Sequence, residues 1–260
     1  MSENKSMNNQ IQEMLDFIST DRFDTAEPID DETSNLFWVN EIENTVDSIE
    51  TAVTFFDRSD EYKWKWISFT LHHALYSLCI VTLVHGNYEV VLESQGKDDK
   101  HYFRRRSEDK WKKSKIVRRA DSPYYTIEWT EIENNPPGVK NKQNKKSNKG
   151  QLINFWSALA RVQDQEYWMG RLYGLKALKL SESQVKNIVW LVVNVRNDLM
   201  HFIPKSYGIS IDDLKEAYID IIDVIAFLAF ESNPFLFSYK PEVKKALKAA
   251  IDSIKQKINT

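Results

Sequence analysis

Apolar residues recur at spacings of three and four over most of the chain, which is the pattern of amphipathic helices. The first such segment runs from Leu36 to Phe56, with Ser34 or Asn35 as the expected N-cap. The second runs from about Glu61 to His85 and is apolar nearly all round, as expected for a helix at the centre of a bundle. These two segments predict a helical core.

The C-terminal half of the chain returns to the same pattern. Helical spacing resumes at Leu152, and further helices are predicted over residues 211–231 and 241–258. Ser181 and Gln184 have the spacing of a capping box, which opens a helix that Pro204 ends. The whole pattern predicts a helical bundle.

Residues 87–150 depart from the helical pattern. Four short segments there are rich in residues that favour β-strands: Tyr88–Leu92, His101–Arg104, Lys115–Arg118 and Tyr125–Thr130. They predict a two- or three-stranded ribbon, and the Pro-, Asn- and Lys-rich residues 134–150 predict a flexible loop. The expected fold class is therefore mainly α, a helical bundle with a small inserted β-ribbon.

The domain organisation follows from composition. Residues 1–35 are polar and acidic, so we expect a flexible N-terminal arm, and residues 36–260 are expected to form one helical domain with residues 87–150 as its insert. The single cysteine, Cys79, lies in an apolar run and is expected to be a core residue, which excludes a disulfide framework. Polar residues interrupt the longest apolar stretch, Trp66–Val84, so we expect a cytoplasmic protein with no membrane span.

Charge is distributed unevenly around a net charge of −3. Residues 97–149 carry sixteen Lys and Arg against eight Asp and Glu, and aromatic residues that can stack on unpaired bases lie between them. The basic stretch therefore predicts RNA as a partner, although an exposed hairpin with solvated charges is the alternative explanation. The candidate RNA-binding residues are Arg104, Arg105, Arg106, Lys112, Lys113, Arg118 and Arg119.

Arg196 lies within an apolar helical segment. At ~100° per residue, the apolar positions from Val185 to Ile203 form one broad arc with Arg196 near its middle. A guanidinium keeps its charge, and an unpaired buried charge is costly, so Arg196 is expected to have a partner. That partner can be an anionic ligand, a second subunit, or a carboxylate such as Asp220 or Asp223 on the following helix.

The motif Arg196-Asn-Asp-Leu-Met-His201 resembles the signature of the HEPN superfamily, a group of helical-bundle proteins. The resemblance extends over roughly residues 36–86 and 151–231. It implies a HEPN-like helical bundle and a metal-independent endoribonuclease, in which Arg and His from two subunits line one cleft. Several members belong to toxin–antitoxin or anti-phage systems, so an antitoxin or a defence-system partner is implied as well.

The chemistry of such a site fits the three residue types. Arg196 can clamp a phosphate, His201 can transfer a proton, and Asn197 can orient the imidazole or contact the ribose. Arg196 and His201 are ~140° apart on an unbroken helix, so one copy converges poorly. Two antiparallel copies would bring each arginine near the other copy's histidine, which predicts a homodimer.

Structural roles stay open for the same residues. His201 can cap helix carbonyls, and Asn197 can be purely structural. His72 and His73 are expected to be satisfied core histidines, although one of them can face the cleft. No residues show metal-ligand spacing, and no cofactor is expected. The alternative function is a non-catalytic HEPN-like module that binds nucleic acid or protein.

Overall fold

The computed structural model describes residues 40–84, 88–92, 100–103, 110–132, 152–170, 173–200, 208–238 and 240–259. These residues are mainly α-helical and include one small antiparallel sheet, which confirms the fold class expected from the sequence. The expected arm over residues 1–35 and the expected loop over residues 134–150 lie outside the described residues.

Two helices, α1 (Glu41–Phe56) and α2 (Lys63–Val84), open the described chain and pack against each other. The elements that follow are a 3₁₀ turn (Tyr88–Val91), β1 (Lys100–Phe103), β2 (Trp111–Arg118), β3 (Tyr125–Ile132), α3 (Phe155–Val162), α4 (Glu182–Trp190), π1 (Leu191–Arg196), α5 (Asn197–Met200), α6 (Ile211–Phe227), π2 (Leu228–Ser232) and α7 (Pro241–Ile258). In π1 and π2 the helix widens to i→i+5 hydrogen bonds. α4, π1 and α5 follow one another without a gap, so they form one continuous helical segment with a π turn in its middle.

The N-terminus of α1 differs from the expectation. Asn40 is the N-cap, and its side-chain oxygen accepts a hydrogen bond of 2.9 Å from the backbone N–H of Glu43. The expected caps at Ser34 or Asn35 are therefore wrong. Glu41 and Glu43 lie in the first turn, where negative charge interacts favourably with the helix dipole, so a start at Asn40 has both a cap and the right charges.

Helix α2 lies at the centre of the bundle and contacts α1, α3, α6, π1 and π2. Its buried residues include Ile67, Leu71 and Cys79, which confirms that the cysteine is a core residue; burial raises the pKa of its thiol. Of the described helices, α2 is the one long and apolar enough to cross a membrane. However, 56% of its apolar window is buried inside the structure, as in the core helix of a soluble protein.

Residues 88–92 do not form the expected strand. They form the 3₁₀ turn, after which Leu92 makes a single antiparallel bridge to Leu152. Val90 and Val91 are buried, and the carbonyl of Val91 accepts a hydrogen bond of 2.9 Å from the N–H of Ile153. The β-forming side chains in this segment therefore serve as core residues, since tertiary packing outweighs a weak local preference.

The three strands form an antiparallel sheet in the order β1-β2-β3, which confirms the expected ribbon. β2 pairs with β3 along its whole length. Trp129 on β3 holds the sheet against the segment after α3: its indole N–H donates to Asp164 at 2.8 Å, and its ring lies 4.0 Å from that of Tyr167. The sheet is thus packed on the helical domain along this side.

The helices expected over residues 211–231 and 241–258 are confirmed, as is the capped start at Ser181. The helix expected from Leu152 begins instead at Phe155, with Asn154 as its N-cap, and the expected stop at Pro204 lies outside the described residues. Ser181 and Gln184 form a reciprocal capping box at the start of α4, with hydrogen bonds of 3.0 and 3.1 Å. Ser210 caps α6, which continues through π2 and so covers the expected 211–231 segment. Helix α7 has the predicted bounds, with Pro241 in its first turn.

Tyr218 on α6 joins three helices at the core. Its ring stacks on Trp64 and meets Phe56 edge-on, while its hydroxyl bonds to the Ser68 hydroxyl at 2.7 Å and donates to the Trp64 carbonyl at 2.8 Å. Burial raises the pKa of its phenol, so the hydroxyl stays neutral and available as a donor.

Substitution Tyr218→Phe is expected to lower the free energy of unfolding by about 1–2 kcal/mol, because the buried Ser68 hydroxyl loses a partner while the ring packing is kept. Urea unfolding followed by circular dichroism measures the change. Tyr62→Phe is the matched control, since Tyr62 is 72% exposed and should change stability little. Equal effects of the two substitutions would contradict the role given to the Tyr218 hydroxyl.

Candidate functional site

Arg196 is the last residue of π1, the π-helical turn that follows α4. A π turn holds one residue more than an α turn, so the positions after it are rotated relative to those before it. Leu191, Val192 and Val195 are buried, whereas Arg196 is half-buried. The expectation that Arg196 lies in the middle of the buried arc is therefore wrong; its side chain lies at the edge of the core.

The guanidinium of Arg196 is held by an amide. Its Nη1 donates a hydrogen bond of 2.8 Å to the side-chain oxygen of Asn197. Among the described residues, no carboxylate pairs with it. Asp220 accepts hydrogen bonds of 2.7 Å from Ser183 and from Asn187, and the alternative pairing with this carboxylate is therefore wrong.

The second carboxylate considered for Arg196 is also engaged elsewhere. Asp223 on α6 forms an ion pair of 2.6 Å with Lys255 on α7. A neutral amide holds Arg196 in place of either acid. The positive charge of the guanidinium is therefore not balanced by either of these carboxylates. Asn197 has a defined place in the site as well: it contacts the guanidinium directly and limits the orientations of that group.

His72 on α2 belongs to the same region, because α2 packs against π1. The imidazole is half-buried, and its ring lies 5.0 Å from that of Phe155 at the start of α3. Burial lowers the pKa of His72 to about 4, with further contributions from the positive charge of Arg196 and from His73. His72 is therefore neutral near pH 7 and lies within the electrostatic range of Arg196.

The two adjacent histidines differ in their surroundings. His73 is exposed, and its Nδ1 shares a hydrogen bond of 2.9 Å with the hydroxyl of Ser48 on α1. His72 makes no hydrogen bond to any other described residue, so the expectation of two satisfied core histidines is wrong. Sequence reasoning left open that one of them faces the cleft, and His72 is the one that lies beside Arg196.

His201 and the residues that follow it, up to Tyr207, lie outside the described residues. The meeting of Arg196 with His201, within one copy or between two, therefore stays a prediction. The same holds for Arg104, Arg105 and Arg106, which also lie outside the described part of the chain.

Lys112 on β2 is engaged within the fold. Its Nζ lies 3.1 Å from a carboxylate oxygen of Glu166 and 5.2 Å from the centre of the Tyr167 ring. Hydrogen bonds raise the pKa of Lys112, the largest contribution coming from Tyr167 and the next from Glu166. Lys112 therefore stays protonated, and its charge interacts with these two neighbours. Lys113, which is half-buried, lies opposite Thr130 in the sheet register and faces no acidic residue across the strands.

The turn between β2 and β3 carries the remaining described candidates. Arg118 donates a hydrogen bond of 3.2 Å from Nε to the carbonyl of Ser122, and the guanidinium of Arg119 lies 5.9 Å from the centre of the Tyr124 ring. Arg119 also lines an open groove of about 590 Å³ between this turn and the face of α4 that carries Lys186 and Trp190. The groove combines two cations with the aromatic side chain of Trp190, and one acidic residue, Glu182, also lines it.

Arg161 on α3 is a residue that sequence reasoning missed. Its side chain is fully buried, its guanidinium lies 4.3 Å from the centre of the Trp168 ring, and its Nη1 donates to the carbonyl of Val90. The sequence carries no signal for this role beyond a single arginine in an apolar helix. Among the described residues, no cluster of three or more His, Cys, Asp or Glu can hold a metal ion.

Comparisons of the chain with protein-family models, curated proteins and solved structures found no match. The function must therefore be argued from the site itself. Its described members are an uncompensated guanidinium, the amide that holds it, and a neutral imidazole on the neighbouring helix.

The pKa of His72 predicts a pH-dependent stability. Because the pKa falls from 6.5 in the unfolded chain to about 4 in the folded protein, the unfolded state binds more protons between these values. The contribution of His72 to the free energy of unfolding is fully present above pH 6.5. It is lost as the pH falls from 6.5 towards 4, and this loss lowers the free energy of unfolding by roughly 1–2 kcal/mol once solvent screening is allowed for. We expect His72→Gln to remove this part of the pH dependence.

Urea unfolding at pH 7.5 and pH 4.5 measures the effect as the difference between wild type and variant. His73→Gln, on the exposed side of the same helix, is the matched control and should keep most of the wild-type pH dependence, because burial, the largest cause of the lowered pKa of His72, is unchanged. If the free energy of unfolding fell by the same amount between pH 7.5 and pH 4.5 in wild type and in His72→Gln, the burial of a neutral imidazole beside Arg196 would be contradicted.

Proposed function

We propose that the protein is a metal-independent endoribonuclease whose active site is built around Arg196. The observation that carries the proposal is the half-buried guanidinium of Arg196, which no described carboxylate neutralises and which Asn197 orients. A fixed cation with unused N–H donors at the edge of a core is suited to a phosphate, which accepts two parallel hydrogen bonds from a guanidinium. The resemblance of residues 196–201 to the HEPN signature points to RNA.

In the proposed reaction the ribose 2′-oxygen attacks the adjacent phosphorus while the bond from phosphorus to the 5′-oxygen breaks. A base takes the proton of the 2′-OH, and an acid gives a proton to the leaving 5′-oxygen. His201 is the proposed proton-transfer residue, and Arg196 stabilises the negative charge that develops on the phosphate oxygens. Asn197 acts as a positioning residue for Arg196.

The proposed assembly is a homodimer in which Arg196 of one copy and His201 of the other share a cleft. Positions five apart on an unbroken helix are separated by ~140°, and this expected separation supports the arrangement. RNA is the proposed substrate, and Lys113, Arg118 and Arg119 are its proposed contacts on the sheet and its turn. We also propose a cytoplasmic location, no cofactor, and an antitoxin or defence-system partner that restrains the activity.

Cleavage of RNA in the presence of EDTA tests the proposal. We expect wild-type protein to cut unstructured RNA under these conditions. Arg196→Ala is expected to lower the rate by about 10²–10³-fold, because charge stabilisation is lost, and His201→Ala by about 10²–10⁴-fold, because proton transfer is lost. Arg58→Ala is the control, since Arg58 pairs with Asp60 and both side chains are exposed.

Mixing the two inactive variants tests the shared site. In an equal mixture, half of the dimers carry one copy of each variant, and each of these has one intact Arg196–His201 pair, which gives about a quarter of the wild-type activity. A mixture that exchanges subunits but stays inactive would place both groups in the same chain.

The alternative is a non-catalytic module that binds nucleic acid. The groove beside Arg119, Lys186 and Trp190 favours it, because cations and an aromatic face are the usual components of single-strand binding surfaces. Tight RNA binding without cleavage, unchanged by Arg196→Ala and His201→Ala, would support this alternative and exclude the nuclease.

A further inference from the structure

The groove between the β2–β3 turn and α4 has two walls that are both attached to the core. On one wall, Val185, Val189 and Trp190 of α4 are half-buried and pack against the core. On the other wall, the backbone N–H of Arg119 donates a hydrogen bond of 2.9 Å to the carbonyl of Tyr124, whose side chain is buried. The shape of the groove is therefore set by the fold.

The wall formed by α4 carries a cation and an aromatic ring on the same side of the helix. Lys186 and Trp190 are four positions apart, so their side chains are neighbours on the helix surface. Lys186 is exposed, and the half-buried Trp190 is held by the core while it lines the groove. An aromatic ring placed in this way can stack on an unpaired base.

The charge of the groove is positive, since Arg119 and Lys186 line it together with one acidic residue, Glu182. Among the described residues, neither of the two cations forms an ion pair. Glu182 lies in the first turn of α4, where the helix dipole stabilises its negative charge. The groove therefore favours a ligand that carries negative charge.

The size and the mixed chemistry of the groove restrict the ligand further. Its volume of about 590 Å³ lies within the usual range of small-molecule sites, about 300–1,000 Å³, so it holds a short stretch of an extended chain. Each nucleotide of a single strand offers an aromatic face for Trp190 and a phosphate for Arg119 or Lys186. An acidic peptide supplies the negative charge without the planar base.

The groove is separate from Arg196. The last of its lining residues along the chain is Asn194, two positions before Arg196. Two positions correspond to roughly half a turn of a helix, so these two side chains leave the helical segment on nearly opposite sides. The groove is therefore a second surface, outside the proposed active site.

We infer that this groove is a contact site for a single strand of RNA, in which one base stacks on Trp190 while Arg119 and Lys186 contact the phosphates. The choice of RNA as the strand rests on the proposed function. Because the groove and Arg196 are separate, the groove contributes to holding the strand and takes no part in the chemical step.

A fluorescein-labelled strand of oligothymidine DNA is a suitable probe, because it lacks the 2′-OH needed for cleavage. With the full-length protein, Trp190→Leu is expected to weaken binding about 5- to 150-fold, since one base loses its stacking partner. Trp190→Phe keeps an aromatic ring and is expected to keep most of the affinity. Fluorescence anisotropy measures the affinity, and circular dichroism confirms that each variant is folded.

The salt dependence of binding identifies the phosphate contacts. Arg119→Gln and Lys186→Gln are each expected to reduce the slope of log affinity against log salt concentration by about 0.7, because each loses one contact to a single strand. Trp190→Leu is expected to leave this slope unchanged. Lys248→Gln, at an exposed position on α7, is the matched control and should bind as the wild type does.

The inference would be overturned if folded Trp190→Leu bound the strand as tightly as the wild type. It would also be overturned if tetraglutamate displaced the strand as well as unlabelled oligothymidine does, since the groove would then recognise charge alone. If Trp190→Leu does not fold, the salt slopes of the variants at the exposed Arg119 and Lys186 decide the question.

Failure of the proposed nuclease is a separate outcome. If RNA is cut in EDTA, Lys186→Gln is expected to raise KM and to leave kcat unchanged, and a loss of kcat would contradict a groove outside the active site. If RNA stays intact in EDTA, the nuclease proposal fails while the oligothymidine measurements still test the groove.

Discussion

The hydrogen bond between Arg196 and Asn197 is the interaction on which the candidate site depends. Burying even half of a guanidinium has a cost that a carboxylate would normally offset, and the described structure supplies an amide oxygen in its place. The amide fixes the direction of the guanidinium without cancelling its charge. A cation held in this way attracts an anion from solution, and it also disfavours a second positive charge on His72.

The buried Arg161 shows how the same residue type is accommodated when its role is structural. Its guanidinium is fully enclosed, lies over the Trp168 ring and bonds to the Val90 carbonyl, so its hydrogen bonding is directed into the fold. Arg196 differs in both respects: it is partly open to solvent, and most of its donors have no described partner. Exposure and unused donors thus set Arg196 apart from the structural Arg161.

Sequence patterns predicted the helices well, because the spacing of apolar residues and the capping residues are local properties. The capping box at Ser181 and the bounds of α7 are examples. The π turn at Leu191–Arg196 was not predictable, since it leaves no mark in the residue pattern. A projection at ~100° per residue fails across such a turn, so it predicts a deeper position for Arg196 than the half-buried one in the structure.

Which of the two histidines lies near Arg196 could not be decided from sequence, for a related reason. Two histidines side by side on an apolar helix look alike in sequence. In the folded protein α1 and π1 pack against α2, so that His73 bonds to Ser48 while the charge of Arg196 acts on His72. Likewise, the sequence shows Lys112 only as one of several cations on β2. Its ion pair with Glu166 depends on how the sheet packs against the helical domain. Such roles depend on contacts between residues far apart in the chain.

The central claim is that the charge of Arg196 acts on the imidazole of His72. The most direct measurement is an NMR titration of the His72 ring in the free wild-type protein and in Arg196→Gln. Removal of the positive charge should raise the pKa of His72 above its wild-type value of about 4, while burial still keeps it below 6.5. An unchanged pKa would show that the two side chains do not share a site.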